Sequence, residues 1–161
     1  MFSIVIPTFN NLNYLKLCLE SLKKNSSYNH QIIIFVNDGN DGTLQYVKDN
    51  NLEYFHSTSN VGLCKAVNQA SKAAKKKYLI YAHDDMYFCP GWDKEFNNEI
   101  LKHNNNSDFF LSGTMVQYFN GLIDLDCGSN PQNFKENKIF EVLPNIEFED
   151  FQGTHWQPSL I

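Results

Sequence analysis

The sequence predicts an α/β protein: a mostly parallel, doubly wound sheet with helices on both faces, and an antiparallel extension in the second half. Three observations lead there. Short apolar runs alternate with stretches of helical period through the first hundred residues. The run QIIIFVN at 31–37 is apolar almost throughout, as in a parallel strand covered on both faces. After residue 103 the pattern changes to longer runs, DFFLSGTMVQYF and LIDLDC, on either side of Asn120-Gly121 in the manner of a hairpin.

Taken in order, FSIVIP reads as a buried first strand. Asn11 can cap the helix that follows, whose apolar positions are Leu12, Leu15, Leu19 and Leu22 and which ends by KKNSS. QIIIFVN is the second strand, DGNDG a turn, and Thr43 to Asn50 a short helix. LEYFH is the third strand. Val61, Ala66, Val67, Ala70 and Ala74 form the stripe of a third helix, with Asn60 as a possible cap or ligand contact. YLIYA is the fourth strand, and Trp92 to His103 a fourth helix with Trp92 in the core. Residues 128–138 are polar and read as a loop, and HWQPSLI reads as a strand.

Composition excludes several classes. The chain has 161 residues, 42% of them hydrophobic, which suits one packed domain rather than disorder. The net charge is −5, and the one basic cluster, Lys72 to Lys77, reads as a solvated helix end, so no nucleic-acid partner is expected. Cys18, Cys64, Cys89 and Cys127 have no C-x-x-C spacing, which signals neither zinc nor a redox pair and favours a reducing compartment. Cys64 and Cys89 read as packing residues. No run approaches the roughly 18 apolar residues of a membrane span, and no signal peptide is expected ahead of FSIVIP.

The strand ends carry the chemistry. Pro7, Thr8, Phe9 and Asn10 follow the first strand; Asn37, Asp38 and Gly39 the second; Ser59, Asn60, Val61 and Gly62 the third; His83, Asp84 and Asp85 the fourth. In a doubly wound sheet these share one edge, where ligands bind. PTFNN lacks G-x-G-x-x-G, which disfavours a dinucleotide. Paired carboxylates suit a divalent cation, and a cation suits a diphosphate. Asp38 can accept from a base N–H or a ribose hydroxyl, or serve only as turn chemistry.

SIVIPTFNN at 3–11, IIIFVNDGNDGT at 32–43, SNVGLCKAVNQASKAAKKKYLIYAHDD at 59–85 and CPGWDKEF at 89–96 together resemble a family 2 glycosyltransferase of the Rossmann-like GT-A fold. The resemblance is clear over about residues 1–100. It implies one domain over 1–161, with a nucleotide-binding part at 1–100, the start of an acceptor-side part at 101–161, and a truncated C-terminus. It implies that Pro7, Thr8 and Asn10 line the nucleotide pocket, Asp38 holds the base, and Asn60 and Gly62 border the nucleotide with Lys65 nearby. Asp84 would face the ribose, and Asp85 would bind Mn²⁺ or Mg²⁺ on the diphosphate. His155 and Trp156 are candidates for the acceptor side. Three departures stand out: Asn37 replaces an acid in a turn one residue shorter, Ala82 and His83 precede Asp84 where an acid is common, and the chain stops before the segment carrying the general base, expected beyond Ile161. Glu147, Glu149 and Asp150 would be the fallback.

The implied activity is inverting, metal-dependent transfer from a nucleotide diphosphate sugar, UDP-sugar favoured, to a glycan or lipid-linked acceptor in polysaccharide biosynthesis. The implied setting is cytoplasmic, or peripheral at the inner face of the membrane. Two alternatives remain: a nucleotide-sugar-binding fragment without the base, and a sugar nucleotidyltransferase, which PTFNNLNY disfavours because it has no Gly, Lys or Arg.

Overall fold

The computed structural model describes residues 1–103, 109–114, 116–118 and 123–145, and the backbone of Ser159–Leu160. The elements are β1 (Phe2–Phe9), α1 (Leu12–Asn25), β2 (Gln31–Asn37), α2 (Thr43–Asp49), β3 (Glu53–Ser57), α3 (Leu63–Ala70), β4 (Tyr78–Tyr81), α4 (Trp92–Lys102), β5 (Leu111–Ser112), α5 (Glu136–Val142) and β6 (Ser159–Leu160). They fall in two compact units. One is Met1–Leu111 with the C-terminal strand, and the other is Ser112–Gln157.

The sheet order is β3-β2-β1-β4-β6-β5. β1 is parallel to β2 and β4, β2 is parallel to β3, and β6 is antiparallel to β4 through Ile80 and Leu160. Alternation sorts the side chains into two cores. Phe2, Ile4, Ile6, Ile34 and Val36 pack with Leu15, Cys18, Leu19 and Leu22 of α1, Val47 of α2 and Ile100 of α4. Val5, Ile33 and Phe35 pack on the other face with Ala66 and Ala70 of α3. Helices thus cover both faces, as a continuous apolar β2 requires. Pro7 is tolerated in central β1 because the β4 ladder runs only from Phe2 to Val5, so no partner awaits its missing N–H on that side.

Several expectations change. Asn11 sits at the start of α1 but makes no capping bond. The Leu12 N–H donates to Asp41 Oδ2 at 2.9 Å. α3 is shorter than its apolar stripe and passes into a 3₁₀ turn at Ser71–Ala73, though Val61 and Ala74 still pack on the same core. Cys64 is exposed rather than packed, because it faces outward on the first turn of α3. The Lys72–Lys77 lysines are exposed, as expected.

In the second unit, residues 128–138 are not a plain loop. Asn130 and Asn133 form a reciprocal capping box around a 3₁₀ turn at Pro131–Asn133, and α5 begins at Glu136. Polar side chains there satisfy the local backbone themselves. The expected hairpin is reduced, among the described residues, to a bridge between Val116 and Ile123 of parallel sense. Its Asn120-Gly121 turn lies outside the described residues.

Beneath the first core lies a polar network that the sequence did not announce. Asp93, at the start of α4, is fully buried. Its Oδ2 accepts from Ser27 N and Tyr28 N, both at 2.7 Å, and from His30 Nε2 at 3.0 Å. His30 Nδ1 accepts from Phe2 N at 3.3 Å, so the ring is neutral with its proton on Nε2. Burial is the largest influence on His30 and lowers its pKa, with Asp93 opposing. Burial pushes Asp93 up, but the Tyr28 N–H, His30 and the Ser27 N–H outweigh it and hold the carboxyl below the usual range. In both cases the unfolded chain takes up the proton first, so acid costs stability. The His30 contribution is full above the ordinary histidine pKa of about 6.5 and falls away below it; that of Asp93 is lost below about pH 4. A pH series of melting temperatures should therefore fall in two steps. His30→Gln should lack the upper one. An unchanged profile in that variant would remove His30 from the account.

Candidate functional site

The C-terminal ends of β1, β2 and β4 and the loop from β3 to α3 surround a cleft of about 310 Å³. Of the residues expected at a ligand, Pro7, Thr8, Asn10, Asn60 and Asp84 line it, joined by Phe9, Asn11, Asn37, Leu63 and His83. Asp38, Gly62, Lys65 and Asp85 are not in the lining. His155, Trp156, Glu147, Glu149 and Asp150 lie outside the described residues.

Two tethers set the walls. Asn37, buried at the end of β2, accepts from Val61 N at 3.0 Å and so ties β2 to the β3–α3 loop. Asn60 accepts from Gly62 N at 2.9 Å, which closes a side-chain turn rather than capping α3. Gly62 has φ 83° with open space around it, so only its conformation demands glycine.

The Asp38 loop is held more firmly. Asn10 and Asp38 both adopt the left-handed region, at φ 48° and 61°. Such backbone persists in non-glycine residues where neighbours enforce it. Asn10 Oδ1 accepts from Gly39 N at 2.9 Å and Asn40 N at 3.1 Å, while its Nδ2 donates to Asp38 Oδ2 at 3.1 Å. Asn40 Nδ2 donates to the same oxygen at 2.8 Å. His56 Nε2 donates to the Asp38 carbonyl at 2.9 Å, and Asp38 N donates to Ser57 O at 2.8 Å. Gly39 at φ 81° has no room for a side chain, since a Cβ would stand 2.6 Å from Val36 Cγ1. Asp41 accepts from Leu12 N and Thr43 N. Burial works against its ionisation, yet these donors and the Thr43 hydroxyl hold its pKa down. The shorter turn is thus fully braced.

The opposite wall carries the charge. Burial raises the Asp84 pKa most; the Thr8 hydroxyl and Asn11 amide oppose it, Asp85 raises it further, and His83 lowers it. Thr8 itself is buried, and its Oγ1 has no hydrogen-bond partner of normal geometry. Asp85, next along, is exposed. His83 shares a 2.8 Å hydrogen bond between its Nε2 and the Tyr81 hydroxyl. Burial, then Asp85, Cys64 and Asp84, push that phenol up to about 12, so it stays protonated. Cys18 Sγ donates to the His83 carbonyl from below at 3.7 Å, and burial pushes that thiol up. The cleft is therefore neutral and amide-rich on one wall and carboxylate-bearing on the other.

Sequence reasoning missed Asn11 and Leu63 as lining and gave His83 no firm role. The Asn-Asn pair after β1 was the available signal for Asn11. Nothing in the sequence marked Leu63, which is an exposed apolar residue at the start of α3.

Comparison with known proteins bears on the family and the fold. CsbB of Bacillus subtilis (strain 168), a protein assigned as a glycosyltransferase, is 27% identical over 156 residues, covering 84% of this chain and 47% of its own. The chain spans less than half the length of the curated relatives it matches. Among solved structures, S. aureus TarS 1-349 in complex with UDP has a TM-score of 0.64 at 24% identity, covering 75% of this chain and 37% of that one. The mannosyltransferase PcManGT from Pyrobaculum calidifontis, in complex with GDP-Man and Mn²⁺, has a TM-score of 0.57 at 14% identity, covering 72% of this chain and 35% of that one. These likenesses establish the fold. The profile of glycosyl transferase family 2 matches residues 3–150, nearly the whole chain, and the protein therefore belongs to that family.

Proposed function

We propose that this chain supplies the donor site of an enzyme that moves a sugar from a nucleotide diphosphate sugar to an acceptor hydroxyl. One observation carries the reading: segments from four strand ends, in a family 2 chain, converge on one cleft whose walls divide into an amide side and a carboxylate side. The amide side, with Asp38 beside it, suits a base and ribose. The carboxylate side suits a cation and diphosphate. UDP bound to TarS and GDP-Man with Mn²⁺ bound to PcManGT lend support.

The residues present fit a divalent cation in one particular way. Among the described residues no group of three His, Cys, Asp or Glu is placed to hold an ion. Asp84 and Asp85 offer two adjacent carboxylates, and their mutual repulsion is what a cation relieves. Mg²⁺ and similar ions are commonly held by one or two carboxylates, with phosphate and water completing the shell. Asp85 would hold it, with Asp84 beside it facing the ribose, and when bound it would neutralise charge on the leaving diphosphate. The chain's own part is positional. The braced Asp38 loop orients the base, and Asp84 lines the cleft together with Thr8 and Asn11. Transfer with inversion, through a base that deprotonates the acceptor, completes the proposal, with polysaccharide biosynthesis as its context.

No helix among the described residues is long and apolar enough to cross a membrane. A cytoplasmic setting, peripheral at the inner face of the membrane, is part of the same proposal. Scattered cysteines without C-x-x-C spacing fit a reducing compartment.

The test is a thermal-shift series with UDP, dTDP, GDP and CMP, with and without Mn²⁺. A nucleotide at a hundredfold its Kd stabilises the folded state by about 2.7 kcal/mol, which raises Tm by several degrees. At least one diphosphate should do so, and more strongly with Mn²⁺. A melting temperature indifferent to every nucleotide would end the donor-site reading.

A further inference from the structure

His83 is held at two points. Cys18 Sγ donates to its carbonyl at 3.7 Å from the core below. The Tyr81 hydroxyl lies 2.8 Å from its Nε2, with the two ring centroids 5.0 Å apart. Residues two apart on an extended chain share a side, so the last residue of β4 reaches the ring just beyond the strand. The Tyr81 phenol stays protonated, and its proton has no other acceptor among the described residues, so it goes to His83 Nε2. A neutral imidazole that accepts at Nε2 carries its hydrogen on Nδ1. A charged imidazolium carries one there as well. Nδ1 is therefore a donor in both charge states.

His83 lines the cleft, and Tyr81 does not. One nitrogen of the ring is thus spent on a residue outside the lining, and the polar edge left for the cleft is Nδ1. That atom has no hydrogen-bond partner among the described residues, and Asp84 feels His83 only through its charge. A cation binds a ring nitrogen through its lone pair, which Nδ1–H lacks. An N–H donor suits an anion instead, and a phosphate oxygen accepts such bonds strongly. The anion that belongs on this wall is the diphosphate, which Asp84 and Asp85 by themselves would repel.

We propose that His83 donates to the diphosphate through Nδ1–H rather than ligating the cation, and that Tyr81 is the positioning residue that fixes the ring in this tautomer. The inference rests on the donor-site reading and adds to it a contact with the anion that does not pass through the metal.

The experiment joins imidazole nitrogen NMR spectra to calorimetric titration. Well above the ordinary histidine pKa of about 6.5, His83 of the parent should show the Nδ1–H tautomer, its signals assigned by their loss in His83→Asn. Tyr81→Phe should lose that preference. UDP and uridine are titrated into the parent, His83→Phe and His83→Asn, with Mn²⁺ and with EDTA, and melting temperatures verify each fold. Where dTDP or GDP gives the larger thermal shift, that diphosphate and its nucleoside take their place. His83→Phe should weaken UDP by about tenfold or more, the worth of a hydrogen bond to a charged group, with Mn²⁺ and without it. Uridine should stay within about twofold of the parent. His83→Asn, whose Nδ2 stands near the place of Nδ1, should keep UDP within about threefold. A loss confined to Mn²⁺ would make His83 a cation ligand and overturn the proposal. So would an equal loss for uridine, an Asn variant no better than the Phe variant, or an Nε2–H tautomer in the parent. An unchanged tautomer in Tyr81→Phe would overturn the role of Tyr81. Failure of every diphosphate to bind the parent would sink the donor-site reading, and this inference with it.

Discussion

Asp93→Ala should destabilise the protein by about 3–5 kcal/mol, the range for removing one partner of a buried charged network. Typical domains have only about 5–15 kcal/mol of stability in total, so the variant should melt far below the parent or fail to accumulate. The cause is specific. Asp93 Oδ2 gathers the N–H groups of Ser27 and Tyr28 and the His30 imidazole in the loop between α1 and β2. Alanine would leave the buried His30 ring N–H and two part-buried backbone N–H groups without that acceptor. It would also unpin His30, which stacks on Phe2 at 5.4 Å and lies 5.1 Å from Trp92. Asp93→Asn keeps the shape and one acceptor oxygen, and should cost roughly 1–3 kcal/mol. Urea denaturation of the three proteins measures this, and equal midpoints would show that the network contributes nothing net.

Asp85→Ala should abolish the dependence of nucleotide binding on Mn²⁺, lowering affinity in its presence by at least about tenfold and changing little in its absence. Asp85 is exposed, so its removal leaves the fold intact and isolates the ligand effect. Asp84→Ala should lose affinity under both conditions, since Asp84 lines the cleft itself. Titration of both variants with UDP, with and without Mn²⁺, separates the two roles. An Asp85→Ala protein that still gains affinity from Mn²⁺ as the parent does would remove Asp85 from the metal assignment.

The fold was legible because burial on both faces leaves a periodic record. QIIIFVN can only be a strand covered twice, and the leucines from 12 to 22 can only be the inward stripe of a helix. The strand-end residues were legible for the same reason: once the strands are parallel, their C-terminal ends must share an edge. Pro7, Thr8, Asn10, Asn60 and Asp84 meet there. The second half read less well. Residues 128–138 looked like a loop because helix-starting asparagines and a proline have the same composition as turns. Asn130 and Asn133 turned that composition into a capping box.

What the sequence determined by itself was the element order of the first hundred residues and the parallel sheet, which follow from local period and spacing; the family came from the resemblance of its motifs. The tertiary structure alone decided which polar atoms are already committed. Asn11 makes no helix-capping bond and lines the cleft with Asp84, while Asp41 takes the Leu12 N–H. Asp93 became a buried anchor for the α1–β2 loop, some 65 residues away in the chain. Asp38 gave one oxygen to Asn10 and Asn40 and kept the other. Hydrogen-bond partners across such separations are set by packing, and no local pattern in the chain encodes which acceptor a given donor will find first.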